Sequence, residues 1–137
     1  MPASLDDILT TQKNGVVAIN TLGNYVNNIL TFTKGNSLSR VPMSTGTTTL
    51  YTVNPGLQFT VNDIEICNAS AAPATFTIYL VPSGGSASAG NALFFSAPIP
   101  GNTTVQWTGN QVLGAGGTIQ ASASATTVTV MFNGGQG

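Results

Sequence analysis

Apolar residues repeat with two different periods along this chain, and the period changes near residue 46. In the first part Leu5, Ile8, Ile19, Leu22, Val26 and Ile29 follow a three-four alternation, with Gln12 and Gly15 at the two remaining seam positions. That spacing predicts a helix from Ser4 to Leu30 that packs one face against other helices. Ser4 and Asp7 have capping-box spacing, and Asp6 and Asp7 place negative charge at the positive end of the helix dipole. The helix interior is weak. Asn14, Asn20, Asn24, Asn27 and Asn28 are poor helix formers, and Gly15 and Gly23 together cost roughly 2 kcal/mol relative to alanine. Such a helix holds only with its seam buried, and a seam of about 25 residues is roughly 37 Å long. A head of about 90 residues does not easily cover that length, so the seam is expected to pair with other copies or dock on a larger partner. Asn14-Gly15 leaves open whether there is one helix or two.

Beyond residue 46 the period falls to two. Thr48 to Val53 reads as a strand and runs into the turn Asn54-Pro55-Gly56, where Pro sets one φ and Gly supplies a positive one. From Gln58 to Cys67, Phe59 and Val61 are on one phase and Ile64 and Ile66 on the other, so a β-bulge or sheet crossing is expected at Asn62-Asp63. Ala74 to Val81 alternates, with Phe76, Ile78 and Leu80 against Thr75, Thr77 and Tyr79. Further strands are expected over Ala92 to Ser96 (carrying Leu93 and Phe95), Thr103 to Thr108, Thr118 to Ser124, and Thr127 to Phe132. Seven or so short strands with Gly/Pro turns predict an antiparallel β-sandwich of jelly-roll or Greek-key type. The expected organisation is a helical stem or anchor over 1–32, a linker over 33–46 and the sandwich over 47–137. The chain is therefore read as mainly β with an N-terminal α-helix.

Charge changes this picture. Seven residues of 137, about 5%, are charged, three basic and four acidic, against roughly a quarter in an ordinary domain. The apolar share is ordinary at 42%, so Thr, Ser, Asn, Gln and Gly have taken the place of charge. A free monomer keeps its surface charged for solubility. A neutral surface fits a chain covered by neighbours in an assembly better than it fits a soluble monomer of unusual composition. Three dispersed cations do not neutralise several phosphates, so nucleic acid is not an expected partner. No apolar run approaches the length of a membrane span, and Met1-Pro2-Ala3-Ser4 does not open a signal peptide, so synthesis in the cytoplasm is expected.

Candidate chemistry is sparse. Histidine is absent, which removes Ser-His-Asp and Cys-His arrangements and His-based metal sites. Cys67 is expected to be a small core or sheet residue, with nothing near it in sequence to activate a thiolate. Asp63 and Glu65 share a strand face, but a glycosidase needs partners across a cleft and calcium needs more oxygens, so a solvated face is expected. The glycine-rich runs at 84–90 and 114–117 lack the Lys-Ser/Thr ending of a phosphate cradle. Tyr51, Tyr79 and Trp107 offer aromatic faces for sugar stacking. Trp107 shares a phase with Val105 and is expected to pack inward, which leaves Tyr79 as the better surface contact. No catalytic residue, metal or cofactor is expected.

The strings Leu50-Tyr51-Thr52-Val53-Asn54-Pro55-Gly56 and Phe59-Thr60-Val61-Asn62-Asp63-Ile64-Glu65-Ile66-Cys67-Asn68 resemble a β-sandwich module of virion proteins in tailed bacteriophages and prophages. The later segments Ala97-Pro98-Ile99-Pro100-Gly101-Asn102 and Ala115-Gly116-Gly117-Thr118-Ile119 fit the same module. The opening Ala3-Ser4-Leu5-Asp6-Asp7-Ile8-Leu9 is similar to the start of small structural proteins of phage morphogenesis clusters. The resemblance implies a non-enzymatic structural role in a virion, as head spike or fibre, capsid decoration, or collar or tail component. The implied partners are the capsid, portal or tail; self-association is expected from the seam itself, whose short length and branched residues suit a trimer. The alternative is a carbohydrate-binding module that contacts a host glycan.

Overall fold

The computed structural model describes residues 36–37 and 40–137. The expected stem over 1–32, with its seam residues Leu5, Ile8, Gln12, Ile19, Leu22, Val26 and Ile29, lies outside the described residues. The remainder is mainly β. In chain order the strands are β1 (Asn36–Ser37), β2 (Val41–Pro42), β3 (Thr48–Thr52), β4 (Phe59–Asn68), β5 (Ala74–Val81), β6 (Ala92–Ile99), β7 (Thr103–Leu113), β8 (Thr118–Ala123) and β9 (Val128–Gln136). A single 3-10 turn over Ala89–Asn91 precedes β6.

Pairing among these strands is nested. Strand β5 pairs with β6, β4 with β7, β3 with β8 and β2 with β9, all antiparallel. The described strands β2 to β9 are thus one long hairpin doubled over on itself. Two further pairings, β4 with β9 and β5 with β8, close it into two sheets. One sheet runs β1-β9-β4-β7 with β2 also on β9, and the other runs β3-β8-β5-β6. We call them sheet A and sheet B.

The sheets face each other across one apolar cluster. Sheet A contributes Phe59, Val61, Ile64 and Ile66 from β4 and Val128, Val130 and Phe132 from β9, all inaccessible to solvent. Sheet B contributes Phe76 and Ile78 from β5 and Ile119, Ala121 and Ala123 from β8. The small Ala121 and Ala123 of β8 share this cluster with the large residues of β4 and β9, a mix of sizes that lets facing layers fill the space between them. These are the residues that the two-residue period places on single phases.

The phase change in β4 is a bulge. The register shifts between Val61 and Asp63 against both neighbours. Asn62 is an extra residue relative to β9, and β7 spends two residues, Gly109 and Asn110, in the same place. The inserted residue lets β4 bury Phe59 and Val61 on one side of the bulge and Ile64 and Ile66 on the other.

Three features differ from the alternation seen in the sequence. Within the stretch read as a linker, Val41–Pro42 forms β2 and Met43 is buried in the core at 1% exposure. Strand β6 turns Phe94, not Phe95, against the core, where its ring lies 5.1 Å from that of Phe76. Phe95 is 59% exposed. The cause is a bulge: Phe95 and Ser96 together oppose Thr77, and Ser96 takes φ 48°. Strand β9 continues past Phe132 to Gln136 through Gly134 and Gly135. A Cβ on Gly134 would lie 2.1 Å from the Thr60 carbonyl oxygen, so only glycine lets β9 approach β4 there.

Candidate functional site

The described carboxylates lie on the outer face of sheet A. Asp63 Oδ1 accepts from Gln106 Nε2 and Asp63 Oδ2 from Asn133 Nδ2, each at 2.9 Å. Glu65 Oε2 accepts from Arg40 Nη2 at 2.9 Å, and Arg40 Nη1 reaches Thr129 Oγ1 at 3.4 Å. These bonds lace β7, β4 and β9 together across the surface. Each carboxylate is committed to a neighbour on this face or at its margin, and neither looks across a cleft at the other. Arg40 and Glu65 remain 36% and 30% exposed, so their pairing is a surface ion pair of modest worth, up to about 1 kcal/mol. Cys67 is half-buried on the same face, opposite Thr104 and Thr129. Among the described residues no group of three or more His, Cys, Asp or Glu side chains is placed to hold a metal ion.

The aromatic residues separate. Trp107 is half-buried, opposes Ile64 and packs against the core beside Val105. Its ring fills the place where a Cβ of Gly109 would stand, 2.3 Å from Cζ2. Tyr51 also packs against the core, its ring 4.7 Å from Phe59 and its hydroxyl donating to Gln136 Oε1 at 2.6 Å. Burial away from water raises the Tyr51 pKa above the ordinary tyrosine value. Tyr79 is half-buried on the outer phase of β5, between Ala92 of β6 and Gln120 of β8. The structure does not gather these three rings into one platform.

Sheet B carries a depression that the strand pattern alone does not reveal. It has a volume of about 190 Å³ and is lined by Thr45, Thr75, Thr77, Ser96, Ser122 and Ser124, with Phe76 and Ala123. Six hydroxyl residues from four segments meet there because Thr75 and Thr77 share a phase and β8 carries Ser122 on its outer phase. The walls are tied to one another. Thr75 N–H donates to Ser124 Oγ, and Ser96 N–H to Thr77 Oγ1, both at 2.9 Å. A neutral hydroxyl lining suits hydrogen bonding to an uncharged polar molecule and provides no acid, base or activated nucleophile.

One end of the sandwich is held by Asn68, which is fully buried. Its Nδ2 donates to the Ala72 carbonyl at 2.8 Å and is 3.4 Å from the carbonyls of Ile99 and Pro100. Its Oδ1 accepts from Ser70 N–H and from the Thr127 hydroxyl. In the fold it joins three loops.

Comparison with known proteins gives little. No family model and no curated protein matches this sequence. Among solved structures, a chain in a structure of infectious bursal disease virus, Gx strain, is similar at 16% identity with a TM-score of 0.32. The similarity covers 74% of this chain and 28% of that one, so this chain spans under a third of the length of its match.

Proposed function

We propose that this chain is a non-enzymatic structural protein of a tailed-phage virion, anchored or oligomerised through its N-terminal segment and displaying the sandwich. The observation that carries the reading is the nested strand order. Pairing 2–9, 3–8, 4–7 and 5–6 in two four-strand paths is the order expected of a jelly roll, an architecture common in viral shells and in lectins. Fold alone does not assign function, and two sequence features add support. Charge is rare over the whole chain, and the strand-and-turn strings resemble virion modules. The place in the virion is a head spike or fibre, a capsid decoration, or a collar or tail component. Its partners are other copies, three in the preferred arrangement, and capsid, portal or tail proteins.

The test is light scattering on the full chain and on a double variant of the proposed seam, Ile19→Asp with Val26→Asp. The full chain is expected to be at least trimeric and the double variant to lose that association while keeping its β circular-dichroism spectrum. Equal mass for the two would remove self-association through the seam. A second reading, binding of a neutral host glycan, draws on the hydroxyl-lined depression of sheet B and on Tyr79 beside it. Glycan-array binding that disappears in Tyr79→Ala would favour it.

A further inference from the structure

Strand β7 is the edge of sheet A: among the described residues it has a neighbouring strand, β4, on one side only. It is also the longest strand, at 11 residues, and contains no charged residue and no proline. From Thr103 to Thr108 it pairs with β4 in unbroken register, with the bulge falling only after Thr108. A regular, uncharged edge of this length presents a row of free backbone N–H and C=O groups that natural proteins ordinarily blunt. Among the described residues, no charge, proline or bulge interrupts the six consecutive residues Thr103 to Thr108.

The side chains of this run point to what covers it. Thr104, Gln106 and Thr108 are exposed on the outer face, while Val105 and Trp107 are half-buried on the core face. Two copies related by a two-fold axis perpendicular to the sheet keep inner face with inner face, so antiparallel β7 strands meet only in registers centred on a residue. Centred on Gln106, the opposed pairs are Gln106 with itself, Val105 with Trp107 of the second copy, and Thr104 with Thr108 of the second copy. Aromatic with β-branched and threonine with threonine are among the favourable cross-strand pairs. Moving the centre to Val105 sets Thr103 against Trp107, and moving it to Trp107 sets Val105 against Gly109, so both lose the match. No like charges meet in the central register, because β7 has none.

We infer that β7 is a self-association edge, pairing antiparallel with β7 of a second copy about a two-fold axis through Gln106 to make one continuous sheet across the pair. The partly exposed Val105 and Trp107 side chains then lie against their counterparts, and the open backbone row is paired. This contact is independent of the N-terminal seam and involves none of its residues.

Disulfide trapping in the full chain tests both contact and register. In a Cys67→Ser background, Gln106→Cys places two thiols directly opposite, where Cα atoms of paired strands are about 4.5–5.5 Å apart, within reach of a disulfide. Thr104→Cys places them four residues apart along the strands, about 13 Å, out of reach. Mild oxidation at low micromolar concentration is expected to give at least about tenfold more covalent dimer for Gln106→Cys than for Thr104→Cys. Mixing Thr104→Cys chains with Thr108→Cys chains is expected to restore crosslinking, as heterodimers only. No dimer from any variant, or equal dimer from Gln106→Cys and Thr104→Cys, would overturn the proposal. Neither result depends on whether the N-terminal seam forms trimers, since light scattering on the seam variant reads that separately.

Discussion

Strands β6 and β7 follow one another in the chain, yet among the described residues each forms one edge of a different sheet, and the two are finished in opposite ways. Strand β6 is broken by two register shifts, carries Pro98, and holds Ser96 at a positive φ. Each of these disturbs the row of backbone groups a neighbour would need. Strand β7 keeps one unbroken register with β4 over Thr103 to Thr108. The two sheets also divide the charge: Arg40, Asp63 and Glu65, the charged residues among those described, all belong to sheet A or its margin. The lesson is that a chain with almost no charge must blunt an edge through backbone geometry. Only one of these two edges has been treated that way, and the other is left fit for pairing.

The contrast depends on the turn that carries the chain from β6 to β7, so breaking that turn has the largest expected effect. Gly101 lies so close to the loop after β4 that a Cβ there would stand 2.1 Å from the Ala71 carbonyl oxygen and 2.9 Å from its Cα. These are backbone atoms and cannot swing aside. Asn102 N–H donates to the Ser70 carbonyl, and Asn68 ties the same two loops together from inside, so the loops have little room to part. Gly101→Ala is expected to destabilise the sandwich by about 3 kcal/mol. Urea unfolding would read this as a fall in midpoint at unchanged slope. A loss under about 1 kcal/mol would mean that the two loops are not held together as described.

Next in size is the acceptor that holds the β6 bulge. Thr77 is 7% exposed, and its hydroxyl accepts the Ser96 N–H that the bulge removes from the ladder. Thr77→Val keeps shape and volume but leaves that donor without its partner, which costs about 1–3 kcal/mol when the group stays away from water. Thermal melting is expected to show a drop of several degrees, given about 4–8 °C per kcal/mol in a domain of this size. An unchanged melting temperature would show that water replaces the bond and that the bulge is maintained by Phe94 packing alone.

How much of this was legible in the sequence follows from what each feature depends on. Alternation reports which side of a strand meets apolar neighbours, so Phe76 and Ile78, Ile119 with Ala121 and Ala123, and Val128 with Val130 and Phe132 could be read directly. The bulge in β4 was legible because it moves a whole apolar phase, from Phe59 and Val61 to Ile64 and Ile66. The bulge in β6 was not, since Leu93, Phe94 and Phe95 are all apolar and the sequence does not say which is displaced. The tail of β9 was hidden by its composition: Asn133-Gly134-Gly135 is turn-like by propensity and is a strand only because β4 needs a neighbour without a Cβ beside Thr60. Surface features were the least legible. The hydroxyl-lined depression and the open edge of β7 both depend on which strands become neighbours, and the same residues in another strand order would form neither.

The smallest expected effect has the opposite sign and sharpens the comparison of the two edges. Ser96 sits at φ 48°, a left-handed conformation that disfavours a Cβ and that glycine adopts freely. Ser96→Gly removes that strain, while the backbone N–H that donates to Thr77 is retained. Glycine also raises the entropy of the unfolded chain, which offsets part of the gain. The net expectation is stabilisation by up to about 1 kcal/mol, read as a small rise in urea midpoint. The bulge itself should persist, because Phe94 must still face Phe76. If Ser96→Gly instead destabilises the protein, the bulge depends on the serine side chain. The blunting of β6 would then be a product of that residue's contacts on the outer face of sheet B, rather than of the backbone path imposed by the core.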